Sequence, residues 1–235
     1  MTIKAVIFDL DGTITVFNLD YKRTRGEVRS YLLNAGIPDS MLKMNEGVFE
    51  MLKKAEIYLA HKGKPTNASK VRKDVLKIIE TYEFEAAKQT SLLSGTLETL
   101  KTLRHSDLKI GLCTINSEKS TTYLLERFKL QEYFDAIASR DDVEKVKPSP
   151  DHLQAVIKKL NVTPKETVVV GDSINDMQGA KELNAIAVGL TSGVSTQKQL
   201  ITYGAHYIIT SITDLPILIE RLNKFEPNLS DEGPC

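Results

Sequence analysis

Two aspartates one residue apart, Asp9 and Asp11, end the apolar run of residues 3–8, and Gly12 and Thr13 turn the chain directly after them. Carboxylates held this close repel each other and lose hydration together, which costs stability unless a cation or a reacting group compensates. An ordinary acidic turn would carry the same letters, so the pair needs company before it means chemistry. Three further run ends supply it. Leu112-Cys113-Thr114-Ile115-Asn116-Ser117 offers a hydroxyl, an amide and the free N–H groups of a helix start, a set suited to phosphate oxygens. Asn116 or Ser117 fits a plain N-cap equally well. Val146-Lys147-Pro148-Ser149-Pro150 is a rigid turn carrying a lysine that could neutralise carboxylates and phosphate, with Lys145 as a rival. Gly171-Asp172-Ser173-Ile174-Asn175-Asp176 adds carboxylates four positions apart. Oxygen ligands from Asp9 and Asp172, completed by water and substrate phosphate, are what a hard Mg²⁺ accepts.

The elements that must position these groups are legible as short β-branched runs closed by turn residues. They cover residues 3–8, 109–114, 136–138, 167–170 and 185–190, with a weaker run at 206–210. Continuous apolar runs alternating with helix-length amphipathic segments imply a parallel sheet covered by helices on both faces, a doubly wound α/β core. In such sheets ligands bind beyond the carboxyl ends of the strands, where all four motifs fall. The alternation stops between residues 18 and 91, where apolar residues recur at helical spacing: Val28, Tyr31, Leu32 and Ala35; Met41, Met44, Val48, Met51 and Leu52; Val71, Val75, Ile78, Ile79 and Tyr82. This segment is expected to form a small helical cap domain at 18–91, with the α/β core at 1–17 and 92–225. A frayed tail is expected at 226–235.

Lysine plus arginine and aspartate plus glutamate both number 31, so global charge gives no reason to expect nucleic acid or an anionic membrane as partner. No stretch approaches the roughly 18 apolar residues of a membrane span, and two cysteines form neither a disulfide framework nor a metal motif. A soluble, cytoplasmic protein is expected. The four histidines lie outside the strand-end motifs and show no metal spacing, so surface or structural roles suffice for them.

Taken together, Asp9-Leu10-Asp11-Gly12-Thr13, Thr114, Lys147-Pro148 and Gly171-Asp172-Ser173-Ile174-Asn175-Asp176 follow successive strands in one order. That order resembles the haloacid dehalogenase superfamily of phosphohydrolases, in its phosphoglycolate phosphatase-like branch with an α-helical cap. The resemblance extends over nearly the whole chain. It implies a Rossmann-like core and a transient aspartyl-phosphate on Asp9, with Asp11 as general acid and base. It further implies Mg²⁺ held by Asp9, the main-chain carbonyl of Asp11 and Asp172, with Asp176 direct or through water. Thr114 and the Ile115 amide would hold the phosphoryl oxygens, with Gly12, Thr13 and Asn116 beside them and Lys147 fixing nucleophile and phosphate together. Asn116 lies one place beyond the position where many relatives carry asparagine. The expected partner is a small phosphorylated metabolite, such as phosphoglycolate or a sugar phosphate. Dehalogenases share the aspartate nucleophile but not the second aspartate, so Asp11 argues for phosphoric monoester hydrolysis. A phosphosugar mutase or an inorganic pyrophosphatase has the same motifs and stays an alternative, as does a non-catalytic binding protein. Lys22, Arg23 and Arg25 form a possible anion-reading cluster in the helical insert, or a solvated helix face.

Overall fold

The computed structural model describes residues 2–225, so the tail expected at 226–235 lies outside the described residues. Each apolar run forms a strand: β1 (Ala5–Phe8), β2 (Lys109–Cys113), β3 (Ala136–Ala138), β4 (Thr167–Gly171), β5 (Ile186–Leu190) and β6 (Tyr207–Ile209). All pair in parallel, in the order β3-β2-β1-β4-β5-β6. The order reverses at β1 and β4, which lie side by side with Phe8 opposite Val170. A crevice at the carboxyl ends of two such strands is where a doubly wound sheet takes its ligand.

β1 and β4 are buried along their whole length, as central strands of a doubly covered sheet must be. Ala5, Ile7, Val169 and Ala187 share one core with apolar residues of the helices that follow β3, β4 and β5. The alternate residues Val6, Phe8, Val168 and Val170 point the other way and are buried too.

The helices of the chain are α1 (Tyr21–Asn34), α2 (Val48–His61), α3 (Pro65–Gln89), α4 (Thr96–His105), α5 (Glu118–Phe128), α6 (Pro150–Leu160), α7 (Ile174–Leu183), α8 (Gln197–Thr202) and α9 (Leu215–Phe225). α6 rests on β2 and β3, α7 on β4 and β5, and α4 on β2 and α9. Among the described residues no helix is long and apolar enough to cross a membrane.

The chain divides into two compact units. Asn18–Gln89 forms one, and the described residues before and after it form the other. In the sheet unit the outgoing and returning segments run side by side: Val16 N–H donates to Ser91 O (2.8 Å) and Thr90 Oγ1 to Val16 O (2.6 Å). The helical unit is α1, α2 and α3 around Val28, Leu32, Met51, Leu52, Val75 and Ile79. Asp20 caps α1 by accepting from Arg23 N–H (3.0 Å).

The methionine stripe read across residues 41–52 is not one helix. A 3₁₀ turn ends at Met41, Glu46 folds back to accept from Lys43 N–H (2.9 Å), and α2 begins only after Gly47. Met44 is left 70 % exposed, on the outside of this turn. Of the three basic residues read as an anion-reading cluster or a solvated helix face, two are engaged within their own unit: Arg23 lies over the Tyr82 ring, and Arg25 over Tyr21 while donating to Met44 O (3.1 Å).

Candidate active site

The sheet delivers the first aspartate. Asp9 continues β1, its N–H bonded to Val170 O of β4 (2.9 Å), so it stands at the carboxyl end of the two adjacent strands. Gly12 then turns the chain at φ +88°, a left-handed conformation that residues with a Cβ rarely adopt. A Cβ at that position would also stand 2.5 Å from Asp172 Oδ2, so glycine lets the β1 turn approach the end of β4.

Asp9, Asp172 and Asp176 each offer an oxygen within 4.8 Å of the other two. Asp9 is 9 % exposed and the other two 1 %. Lys147, 5 % exposed, donates to Asp9 Oδ1 (2.6 Å), Asp176 Oδ1 (2.6 Å) and Cys113 O (2.7 Å). All three hydrogens of the ammonium are thereby used. The rival Lys145 is exposed. Asp176 also closes the capping box of α7, accepting from Ser173 Oγ (2.6 Å) and Ser173 N–H (3.2 Å).

The electrostatics are those of a site short of positive charge. Burial pushes the Asp9 carboxyl well above its ordinary range; Lys147 opposes this, while Asp176 and Asp172 reinforce it. Asp172 is raised to about 6 by burial and by Asp176. Burial alone would lower Lys147, but Asp176 and Asp9 hold its ammonium well above the usual lysine value. The Cys113 thiol is pushed up to about 12 by burial, which keeps it protonated.

Asp11 has a different environment two residues away. Its side chain lies outside the three-carboxylate cluster: Oδ1 accepts from Thr15 Oγ1 (3.0 Å) and Oδ2 from Asn116 Nδ2 (2.6 Å). Burial raises its pKa, and these two neutral donors offset the rise in part. Asn116, expected among the substrate-binding groups, therefore spends its amide on Asp11. The Thr114 hydroxyl accepts from Asn116 N–H (3.1 Å) and is buried, and Ser117 caps α5 through Ser120 N–H (3.2 Å). Ile115 is half-buried and its carbonyl accepts from Arg140 Nη1 (3.2 Å). Thr13 is fully buried, with its hydroxyl 3.4 Å from Asp172 Oδ1.

One of the four histidines given surface or structural roles lies beside the site. His152 is fully buried, and its Nδ1 accepts from Lys147 N–H at 3.4 Å. Its Nε2 must then carry the hydrogen and donate to Ser139 O (3.0 Å). Burial and the Lys147 charge lower its pKa to about 4, so the ring is neutral. The available signal was its place on the buried stripe of α6 with Val156 and Leu160, which turns position 152 inward.

Residues 6–190 match the family model described as haloacid dehalogenase-like hydrolase. The chain is 26 % identical over 230 residues to the pyrophosphatase PpaX of Bacillus mycoides (strain KBAB4), covering 95 % of this chain and 100 % of that one. It is 29 % identical over 230 residues to the phosphoglycolate phosphatase of Salmonella typhi, covering 91 % of each. Among solved structures, a hydrolase from Pseudomonas syringae superposes with a TM-score of 0.66 at 27 % identity, over 93 % of this chain and 99 % of that one. With more than half of its length matched by the family model, and with carboxylates, lysine and hydroxyl gathered at one strand crevice, the chain belongs to the haloacid dehalogenase-like hydrolases.

Proposed function

We propose that the protein is a magnesium-dependent phosphatase that hydrolyses a small phosphate monoester through an aspartyl-phosphate on Asp9. The observation that carries this reading is the contrast between the two aspartates of one turn. Asp9 is hydrogen-bonded by a cation, Lys147, among other carboxylates, whereas Asp11 is hydrogen-bonded by the neutral donors Thr15 and Asn116 and feels Lys147 through its charge alone. Carboxylates whose surroundings differ this way divide into nucleophile and proton carrier.

In this reading an Asp9 carboxylate oxygen attacks phosphorus, the bond from phosphorus to the ester oxygen breaks, and protonated Asp11 gives its proton to the leaving oxygen. Asp11, now ionised, takes a proton from water as that water attacks phosphorus, and the acyl-phosphate bond opens to return Asp9 and inorganic phosphate. Lys147 holds Asp9 in place and offsets phosphate charge, and Thr114 and the Ile115 amide receive phosphoryl oxygens.

The donor set fits a hard divalent cation: three buried carboxylates face one ammonium, and burial with mutual repulsion raises Asp9 and Asp172. Asp9, Asp172 and Asp176, with the Asp11 main-chain carbonyl, would hold Mg²⁺, which when bound neutralises charge between the nucleophile and phosphate.

Phosphoglycolate or a sugar phosphate is the substrate class we favour. Inorganic pyrophosphate is a second reading, supported by the Bacillus relative that aligns over nearly the whole chain. A phosphate-release screen with phosphoglycolate, sugar phosphates, nucleotides and pyrophosphate, run with and without Mg²⁺, tests both. At least one monoester should be turned over only with Mg²⁺, and Asp9→Asn should reduce that rate by more than about a thousandfold in a folded protein. Wild-type turnover by the folded Asp9→Asn protein would remove Asp9 as nucleophile.

A further inference from the structure

Four strand ends carried the motifs; a fifth, after β5, also reaches the acidic cluster. Val194 N–H donates to Asp172 Oδ2 (2.8 Å), and Ser195 N–H to the Asp172 main-chain carbonyl (3.2 Å). Ser195 Oγ accepts from Ile174 N–H (3.2 Å) at the start of α7. Ser192 Oγ donates to Gly12 O in the β1 turn. Residues 192–195 thus tie the ends of β1 and β4 together across Asp172, and although Ser192, Gly193 and Val194 are exposed, the carboxylate beneath them is almost fully buried.

Gly193 is the tightest point. A Cβ at this position would collide with the Asp172 carboxylate, just as one at Gly12 would from the β1 side. Asp172 is therefore pressed between two stretches of bare backbone. Its Oδ2 is held by the Val194 N–H, while Oδ1 has the 3.4 Å contact with Thr13 Oγ1, weak enough for a cation to displace.

We propose that residues 192–195 are a positioning segment for the cation site, in which Gly193 and the Val194 N–H select the Asp172 rotamer that turns Oδ1 toward the metal. The proposal rests on reading Asp9, Asp172 and Asp176 as that site. Groups that orient metal ligands typically change affinity when altered, even though they never touch the ion. A side chain at 193 would push Asp172 aside before it disturbed the sheet, because the carboxylate is the movable partner.

Mn²⁺ titration of metal-free protein, followed by the electron paramagnetic resonance signal of the free ion, separates the two claims. Wild type should bind Mn²⁺, Asp172→Ala should bind it poorly, and Gly193→Ala should weaken it by about tenfold or more. In an Asp172→Ala background the Gly193→Ala change should cost no further affinity, and its effect on the thermal midpoint should shrink, because the collision is gone. A Gly193→Ala chain that folds only together with Asp172→Ala supports the same coupling. Wild-type Mn²⁺ affinity in Gly193→Ala, or an equal loss in both backgrounds, overturns the positioning role and leaves the cation site standing. Absence of Mn²⁺ binding by wild type, or full binding by Asp172→Ala, overturns the cation site and the proposal with it.

Discussion

Lysines meet pairs of carboxylates in both units, at very different depths. In the helical unit Lys54, its side chain 30 % exposed, reaches the exposed Glu50 at 3.2 Å and the buried Glu46; in the sheet unit Lys147, its side chain 2 % exposed, reaches Asp9 and Asp176. Exposed pairs contribute little, since water screens them and long side chains lose entropy in holding one geometry. A buried ammonium among carboxylates carries a large desolvation cost that apolar residues of similar volume would avoid. The difference teaches where to look for chemistry. α1, α2 and α3 gather around an apolar centre, and the lysine that meets their buried Glu46 stays partly in water, whereas the sheet unit buries the ammonium together with its carboxylates.

The contrast can be broken from either side, and the largest effect should come from Lys147→Met. This change leaves Asp9 and Asp176 buried without their cation and should cost about 3–5 kcal/mol near pH 8. Folded-state carboxylates raised by burial keep protons that the unfolded chain has already released, so the loss should grow as pH rises and shrink toward pH 5. Urea unfolding across that range checks it, and a loss near zero at every pH would mean that depth does not distinguish the two lysines.

A smaller effect should come from His152→Gln, which sharpens the comparison by removing a titrating group behind Lys147 while keeping hydrogen-bonding capacity. The folded ring titrates at about 4 against about 6.5 when unfolded, so between these values the unfolded chain binds more protons. His152 should accordingly remove stability as pH falls from about 6.5 to 4, by at most about 3 kcal/mol, read as the difference between wild type and His152→Gln. The difference is the measure because the raised carboxyls of Asp9 and Asp172 pull both proteins the opposite way over that range. Parallel stability curves for the two proteins would show that His152 is not the source. At the small end, Lys54→Ala should lower the thermal unfolding midpoint of the full chain only slightly, because Glu46 keeps its bond from Lys43 N–H, and a drop as large as that of Lys147→Met would place the helical unit in the same class as the sheet unit.

The sheet and the helical insert could be read because their signals are local. Val168-Val169-Val170 is apolar whatever lies next to it, and the switch to helical spacing after residue 18 needs no knowledge of partners. The strand-end groups were legible by the same logic, since each motif directly follows its own run. What the sequence could not convey was who bonds to whom. Asn116 and Asp11 are 105 positions apart, and only the parallel pairing of β1 with β2 brings them within 2.6 Å. Met44 failed because it lies at a turn that interrupts the helical period, and for His152 the reading as surface or structural left open which of the two, though its place on the buried stripe of α6 decides it. The loop of residues 192–195 carries no residue type that announces its contact with Asp172, because its contribution is the absence of a side chain at Gly193.

The place of β1 in the sheet has a consequence for how the chain is made. It precedes every other strand in sequence and lies between β2 and β4, so Ala5 waits for Lys109 on one side and for Thr167 on the other. During synthesis its four apolar residues must wait for residues 109–112 on one edge and for residues 167–170 on the other, and closing a contact over such spans is slow compared with local helix formation. The same delay governs the acidic crevice, where Asp9 has neither Lys147 nor Asp172 beside it in a nascent chain that ends before them. A ribosome-bound fragment stopping short of β4 would therefore leave one edge of β1 unpaired and possess no assembled centre.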